Sequence, residues 1–127
     1  MIPTYDQMGD WLEEIVEQFP DAFFEDLDGG IQLEERALPD PDFPPGEMYI
    51  MGEYVHDMLG RYILLYYGSF AELLAQEDEG TWKDEIFATV AHEFTHHLEE
   101  DAGLHALDDK DLAFLREALE EFGGDAP

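Results

Sequence analysis

The sequence predicts an α+β domain over residues 1–127, in which a small mixed sheet of about three to four strands packs against three helices. Three observations predict this fold. Residues 5–19 carry apolar side chains at helical spacing, residues 31–67 contain short aliphatic and aromatic runs, and residues 82–122 return to helical spacing. The expected helices are therefore an N-terminal helix, a long helix in the second half and a C-terminal helix.

The N-terminal third begins with the first predicted helix. Thr4 and Gln7 form a capping box, and the apolar period that follows ends at Pro20. A short helical turn from Asp21 to Leu27 should come next, because glycines close it. A strand is then expected from Ile31 to Ala37.

The middle third predicts a hairpin. Residues 38–46 are rich in proline, which cannot continue a helix or a central strand, so they should form a surface loop within the domain. Residues 48–55 and 61–67 are rich in aliphatic and aromatic side chains, with a turn expected at 56–60. Because the second of these strands is apolar on both faces, we expect it to be the central strand and to be covered on both sides.

Capping residues set the boundaries of the later helices. Ser69 with Glu72 forms a second capping box, which predicts a short helix. Thr81 should cap the long helix and Gly103 should end it. Asp108 should cap the last amphipathic helix.

Composition excludes several classes of protein. Thirty-three acidic residues against five basic ones give a formal charge of −28, which repels nucleic acid and anionic membranes. The absence of cysteine excludes disulfides and thiolate metal ligands. No run approaches the roughly 18 apolar residues of a membrane span, and the N-terminus does not read as a signal peptide. We therefore expect a cytoplasmic protein; its oligomeric state is left open.

The long helix contains the motif His-Glu-x-x-His. His92 and His96 lie one helical turn apart, so both imidazoles can reach a single ion. Zinc accepts neutral histidine nitrogens, and a catalytic zinc site leaves a position for water. Glu93 can then take a proton from the water that attacks a carbonyl. The motif predicts a zinc-dependent peptide hydrolase in which Glu93 is the general base.

A helical wheel places these side chains on different faces. His92 and His96 lie opposite the apolar stripe, whereas Glu93 lies at its border. His97 falls within the stripe, which predicts a packed, hydrogen-bonded core histidine rather than a ligand. The stripe consists of Trp82, Ile86, Phe87, Val90, Ala91, Phe94 and Leu98.

A zinc site needs a third donor, and the residues after the motif offer several. Glu99 lies on the ligand face, although its carboxylate could instead hydrogen-bond an imidazole. His105 follows a glycine closely, as the last ligand does in some zinc peptidases. Asp101 and Asp109 are further candidates.

The run Thr89–His97, with Arg61–Gly68 before it, resembles the bacterial metallopeptidase family with a minimal zincin-like fold. Members of this family continue the motif as His-Glu-x-x-His-His-x-Gly-x-x-Asp. This chain departs from that pattern, with Glu99 at the glycine position and Ala102 at the aspartate position, so the ligand set cannot be carried over in register. If the extra residues form a longer turn, the resemblance implies Asp111 as the third zinc ligand.

Three functions follow from these patterns. The first is a zinc metallopeptidase whose peptide or protein substrate lies extended beside an edge strand. The oxyanion would be stabilised by the zinc itself or by a nearby phenol or imidazole, for which Tyr54, Tyr66, Tyr67 and His56 are available. The second is an inactive zincin-like metal-binding module. The third is an acidic protein-interaction module in which the motif is accidental, and in which Asp111 only stabilises a helix N-terminus.

Overall fold

The computed structural model describes residues 2–100 and 107–122 and confirms the predicted α+β fold. Its helices are α1 (Tyr5–Val16), α2 (Tyr67–Leu73), α3 (Glu79–Glu100) and α4 (Asp109–Phe122), with a short 3-10 turn at Asp21–Phe24. Its strands are β1 (Ile31–Glu34), β2 (Leu38–Pro39), β3 (Tyr49–Ile50), β4 (Gly52–Asp57) and β5 (Gly60–Tyr66). No helix within the described ranges is long and apolar enough to cross a membrane.

The main sheet has the order β1–β5–β4, with β1 parallel and β4 antiparallel to β5. This confirms β5 as the central strand. Ile63 and Leu65 on its inner face are fully buried, whereas Tyr62 and Leu64 on its outer face are only partly buried. On the same outer face Tyr66 is buried, so this face is covered at the end of the strand and only partly covered before it.

The core lies between the inner face of the sheet and helices α1, α3 and α4. The predicted apolar stripe of α3 is buried in this core, except for Phe87, which is partly exposed. Aromatic rings link the helices: Phe19 contacts Phe94 and Phe114, with ring centroids 5.1 and 5.3 Å apart. Contacts of this kind fix α3 relative to α4 and to the segment after α1, since each contributes about 0.5–1.5 kcal/mol beyond area burial.

The hairpin differs from its prediction at both ends. The first strand is interrupted at Met51, so residues 49–50 pair separately with Leu38–Pro39, which lies in the segment predicted as loop. At the other end the turn is shorter than predicted. Asp57 pairs with Gly60, so only two residues lie between the paired strands. Within this turn the Asp57 carboxylate accepts a hydrogen bond from the Leu59 amide at 2.8 Å.

The predicted helix caps were partly right. Thr4 and Gln7 form the expected capping box, and the Asp108 carboxylate accepts from the Asp111 amide at 2.8 Å, as a cap of α4 should. At α3 the prediction was wrong: Asp78, not Thr81, accepts the first-turn bond, from the Thr81 amide at 2.8 Å. Hydrogen bonds from the backbone and the side chain of Thr81 lower the pKa of Asp78. The end predicted at Gly103 lies outside the described residues.

Ser69 does not cap α2, contrary to prediction. The helix begins at Tyr67, and the buried Ser69 hydroxyl accepts a hydrogen bond from the Leu38 amide at 2.9 Å. Ser69→Ala should lower the free energy of unfolding by about 1–3 kcal/mol, because it leaves that amide without its acceptor. Urea denaturation of the two proteins measures the difference, and equal midpoints would contradict the assignment.

Candidate metal centre and active site

The two motif histidines lie together on the exposed side of α3. The His92 and His96 rings are perpendicular, with centroids 4.9 Å apart. Burial lowers the pKa of His92, the neighbouring His96 lowers it further, and Glu99 acts in the opposite direction. His92 is therefore favoured in its neutral form, which is the form that binds a metal ion. The pair fits two positions of a nitrogen- and oxygen-ligated zinc site.

Glu93 directly follows His92 on α3 and is buried, with 7% of its surface exposed. Burial raises its pKa to about 7, the charge of Glu53 adds to this, and a hydrogen bond from the backbone of Tyr54 opposes it. A carboxyl whose pKa lies near neutrality can both accept and return a proton at physiological pH. Glu93 is more deeply buried than its predicted position at the border of the apolar stripe indicates.

Strand β4 packs directly on α3 because Gly52 has no side chain. A Cβ at Gly52 would lie 2.6 Å from Cγ2 of Thr89 and 3.6 Å from Cγ of Glu93. The first distance is shorter than real Cβ contacts, so only glycine permits this approach. The sequence analysis missed this role; the one available signal was a glycine inside a predicted strand.

The backbone groups of β4 that point away from β5 face the side on which Glu93 lies. The Tyr66 amide donates to the Met51 carbonyl at 2.9 Å, and bonded and non-bonded residues alternate along an antiparallel pair. Gly52, Tyr54 and His56 therefore direct their amides and carbonyls away from β5. The hydrogen bond from Tyr54 to Glu93 follows from this alternation.

His97 is the hydrogen-bonded core histidine that its wheel position predicted. Only 1% of its surface is exposed. Its Nε2 donates to the carbonyl of Glu25 at 2.7 Å, and the Tyr54 hydroxyl lies 2.9 Å from its Nδ1. His97 is thus directed into the core, away from the face that carries His92 and His96.

The four residues considered as oxyanion donors all bond elsewhere. Each of the four side chains is hydrogen-bonded within the protein. The bonds are from Tyr54 to His97, from Tyr66 to the Glu53 carboxylate at 2.6 Å, from Tyr67 to the Pro3 carbonyl at 2.5 Å, and between His56 and Glu100.

The third ligand is not placed by the described residues. Across residues 2–100 and 107–122, no three His, Cys, Asp or Glu side chains form a group that could hold a metal ion, so Asp111 is not brought together with both histidines. Glu99 is exposed but close enough to raise the pKa of His92. Asp101 and His105 lie outside the described residues. The choice of Asp111 therefore stays a prediction.

Comparison with known proteins agrees with the fold. The profile of the zincin-like metallopeptidase family matches residues 15–117, a range that includes the main sheet and all of α3. A solved structure of a conserved hypothetical protein from Thermus thermophilus is similar, with 33% identity and a TM-score of 0.69 over 79% of this chain and 98% of that one. No curated protein matches the chain. The chain belongs to the zincin-like metallopeptidase family.

Proposed function

We propose that this protein is a zinc-dependent hydrolase of peptide bonds in which Glu93 is the general base. One observation carries the proposal: a buried carboxyl with a pKa near 7 directly follows the first of two adjacent imidazoles on one helix. Membership of the zincin-like metallopeptidase family supports it. The substrate itself, beyond a peptide or protein, is not specified by these features.

His92 and His96 would hold the zinc ion, and Asp111 is the proposed third ligand. When bound, zinc supplies Lewis acidity that polarises a carbonyl and makes water more acidic. The chain's own contribution is proton transfer. Glu93 accepts a proton from the attacking water and returns it to the leaving amine, and a pKa of about 7 suits both steps.

An extended peptide would bind along β4. This strand is at the edge of the main sheet, and its outward backbone groups lie on the Glu93 side. Pairing with a sheet edge is a common way to bind a peptide, because main-chain hydrogen bonds supply affinity independently of sequence. A peptide bound in this way passes directly beside Glu93.

A second function is a zincin-like module that binds metal without hydrolysis. This function is favoured because the described residues do not bring a third ligand to the histidine pair. The charge of −28 would then serve to recruit a basic protein. The two functions share the metal site and differ in whether the buried Glu93 carboxyl transfers protons.

Zinc stoichiometry tests the metal site. After exhaustive dialysis, elemental analysis of the wild type should find one zinc per chain, and His92→Ala should lose it because two ligands hold zinc weakly. His56→Ala is the matched control, since His56 bonds Glu100 and lies outside the pair. Loss of zinc in Asp111→Ala would establish the third ligand. A wild type without specific zinc would contradict the proposal.

Hydrolysis is then measured on a mixed peptide library with the zinc-loaded protein. We expect cleavage that a chelator abolishes and that added zinc restores. His92→Ala should be inactive, and His56→Ala should retain activity. Zinc bound with full stoichiometry but no cleavage of any peptide would favour the metal-binding module instead.

A further inference from the structure

Strand β4 and helix α3 contact each other at regular intervals. Two residues of a strand advance by about 6.6 Å and four residues of a helix by about 6 Å, so alternate strand residues can meet successive turns of one helix face. Residues 52, 54 and 56 of β4 do so here. The contacts join Gly52 to Thr89, Tyr54 to Glu93 and His97, and His56 to Glu100.

Tyr54 makes two of these contacts, one from each end of the residue. Its backbone amide donates to the Glu93 carboxylate, and its hydroxyl is hydrogen-bonded to His97 one turn further along α3. The two acceptors are on the same rigid helix. Fixing the hydroxyl therefore also restricts where the amide of Tyr54 can lie relative to Glu93.

His97 is held in turn by the core. A backbone carbonyl can only accept, so Nε2 of His97 must carry the proton that it donates to Glu25 at 2.7 Å. In the neutral ring Nδ1 is then an acceptor, and the Tyr54 hydroxyl donates to it at 2.9 Å. Each polar atom in this series of hydrogen bonds has a partner, so the relative positions of Tyr54, His97 and Glu25 are well defined.

We infer that the hydrogen bond between Tyr54 and His97, here called the Tyr54–His97 link, positions Glu93 for proton transfer. The link holds β4 on α3, so that the Tyr54 amide keeps the Glu93 carboxylate in one orientation. Tyr54 and His97 are positioning residues, because they act through Glu93. The catalytic part of this inference depends on the proposed function, whereas the structural part does not.

The link predicts a larger effect on turnover than on substrate binding. Loss of one hydroxyl should leave the fold intact, but Glu93 would no longer be held in one place. Small misplacements of a reacting group lower rates by up to about 100-fold, so Tyr54→Phe should reduce kcat by about 10- to 100-fold with KM nearly unchanged. Tyr62→Phe is the matched control, since that hydroxyl bonds Asp57 within the same hairpin.

Two substitutions at His97 separate the link from the bond to Glu25. A glutamine amide reaches the position of Nε2, so His97→Gln keeps a donor for Glu25 and loses the acceptor for Tyr54. An asparagine amide reaches the position of Nδ1, so His97→Asn keeps that acceptor. His97→Gln should therefore match Tyr54→Phe, His97→Asn should retain more activity, and the double variant Tyr54→Phe/His97→Gln should lose little beyond either single change.

Amide hydrogen exchange in the zinc-free protein tests the link without any assay of activity. The amide of residue 54 should exchange about tenfold faster in Tyr54→Phe and His97→Gln, the change expected for the net loss of one hydrogen bond, while Tyr62→Phe and His97→Asn stay close to the wild type. Unchanged exchange at residue 54, or faster exchange throughout the chain, would overturn the inference. If the wild type hydrolyses nothing, the proposed function fails while the exchange result still decides whether the link positions Glu93.

Discussion

The Glu93→Gln variant should keep its zinc and lose hydrolysis by about 10²- to 10⁴-fold, the usual contribution of a general base. Glutamine has nearly the shape of glutamate, and its oxygen can still accept from the Tyr54 amide, but it cannot take a proton from water. Elemental analysis and peptide cleavage on one preparation measure both quantities. Metal-dependent cleavage at the wild-type rate would show that another group is the base.

The same variant should be more stable than the wild type at alkaline pH when both are free of metal. Burial raises the pKa of Glu93 from 4.5 to about 7, so the folded chain binds this proton more tightly than the unfolded chain does. Stability of the wild type therefore falls as the pH rises from about 4.5, and the loss is complete above about 7. The total loss in the free energy of unfolding is on the order of 3 kcal/mol.

Urea denaturation at pH 4.5 and at pH 8 measures this difference. The two proteins should be similar at the lower pH and should differ at the higher pH, with Glu93→Gln the more stable. Glu72→Gln, which changes an exposed glutamate outside the site, should follow the wild type at both values. Parallel curves for wild type and Glu93→Gln would contradict the assigned pKa.

Gly52→Ala should destabilise the protein by about 1–3 kcal/mol and reduce hydrolysis, because the new Cβ would lie 2.6 Å from Cγ2 of Thr89. Thr89 cannot rotate away at no cost, since its hydroxyl donates to the Glu85 carbonyl at 2.8 Å. Strand β4 would have to move outward instead. That movement carries the Tyr54 amide away from Glu93.

A second substitution separates this steric effect from other effects of alanine. Thr89→Ser removes the clashing methyl group and keeps the hydroxyl, so Gly52→Ala/Thr89→Ser should recover most of the lost stability and activity. Denaturation midpoints and cleavage rates of the four proteins form a double-mutant cycle. Additive losses would show that the contact between Gly52 and Thr89 is not the cause.

The features that the sequence predicted correctly are those set by local patterns. The α1 cap, the α4 cap, the stripe of α3 and the inward direction of His97 all follow from helical spacing and capping chemistry. The wrong caps have a common cause, which is competition between acceptors. Ser69 bonds the distant Leu38 amide, and Asp78 precedes Thr81 at the start of α3.

The contacts that define the environment of Glu93 could not be predicted, because they join residues about 40 positions apart. Motif and spacing predicted Glu93 as the base, yet its pKa depends on Glu53 and Tyr54, which come from the hairpin. The close approach of β4 to α3 requires glycine at position 52, and this requirement is visible only once the position of α3 is known. The third ligand could not be carried over from the family's motif, because the sequence departs from that motif at Glu99 and Ala102.

The position of Glu93 also bears on self-association. An exposed edge strand offers unpaired amides and carbonyls to any other chain, and natural proteins protect such edges with charge. In β4 the amide of Tyr54 is already bonded to Glu93, and Glu53 and Asp57 add carboxylates to the strand. A second copy that approached this edge would bring a charge of −28 with it. The charge of this edge thus disfavours pairing with a second copy, whereas a peptide without that charge would pair with the outward groups of Gly52 and His56 and with the Tyr54 carbonyl.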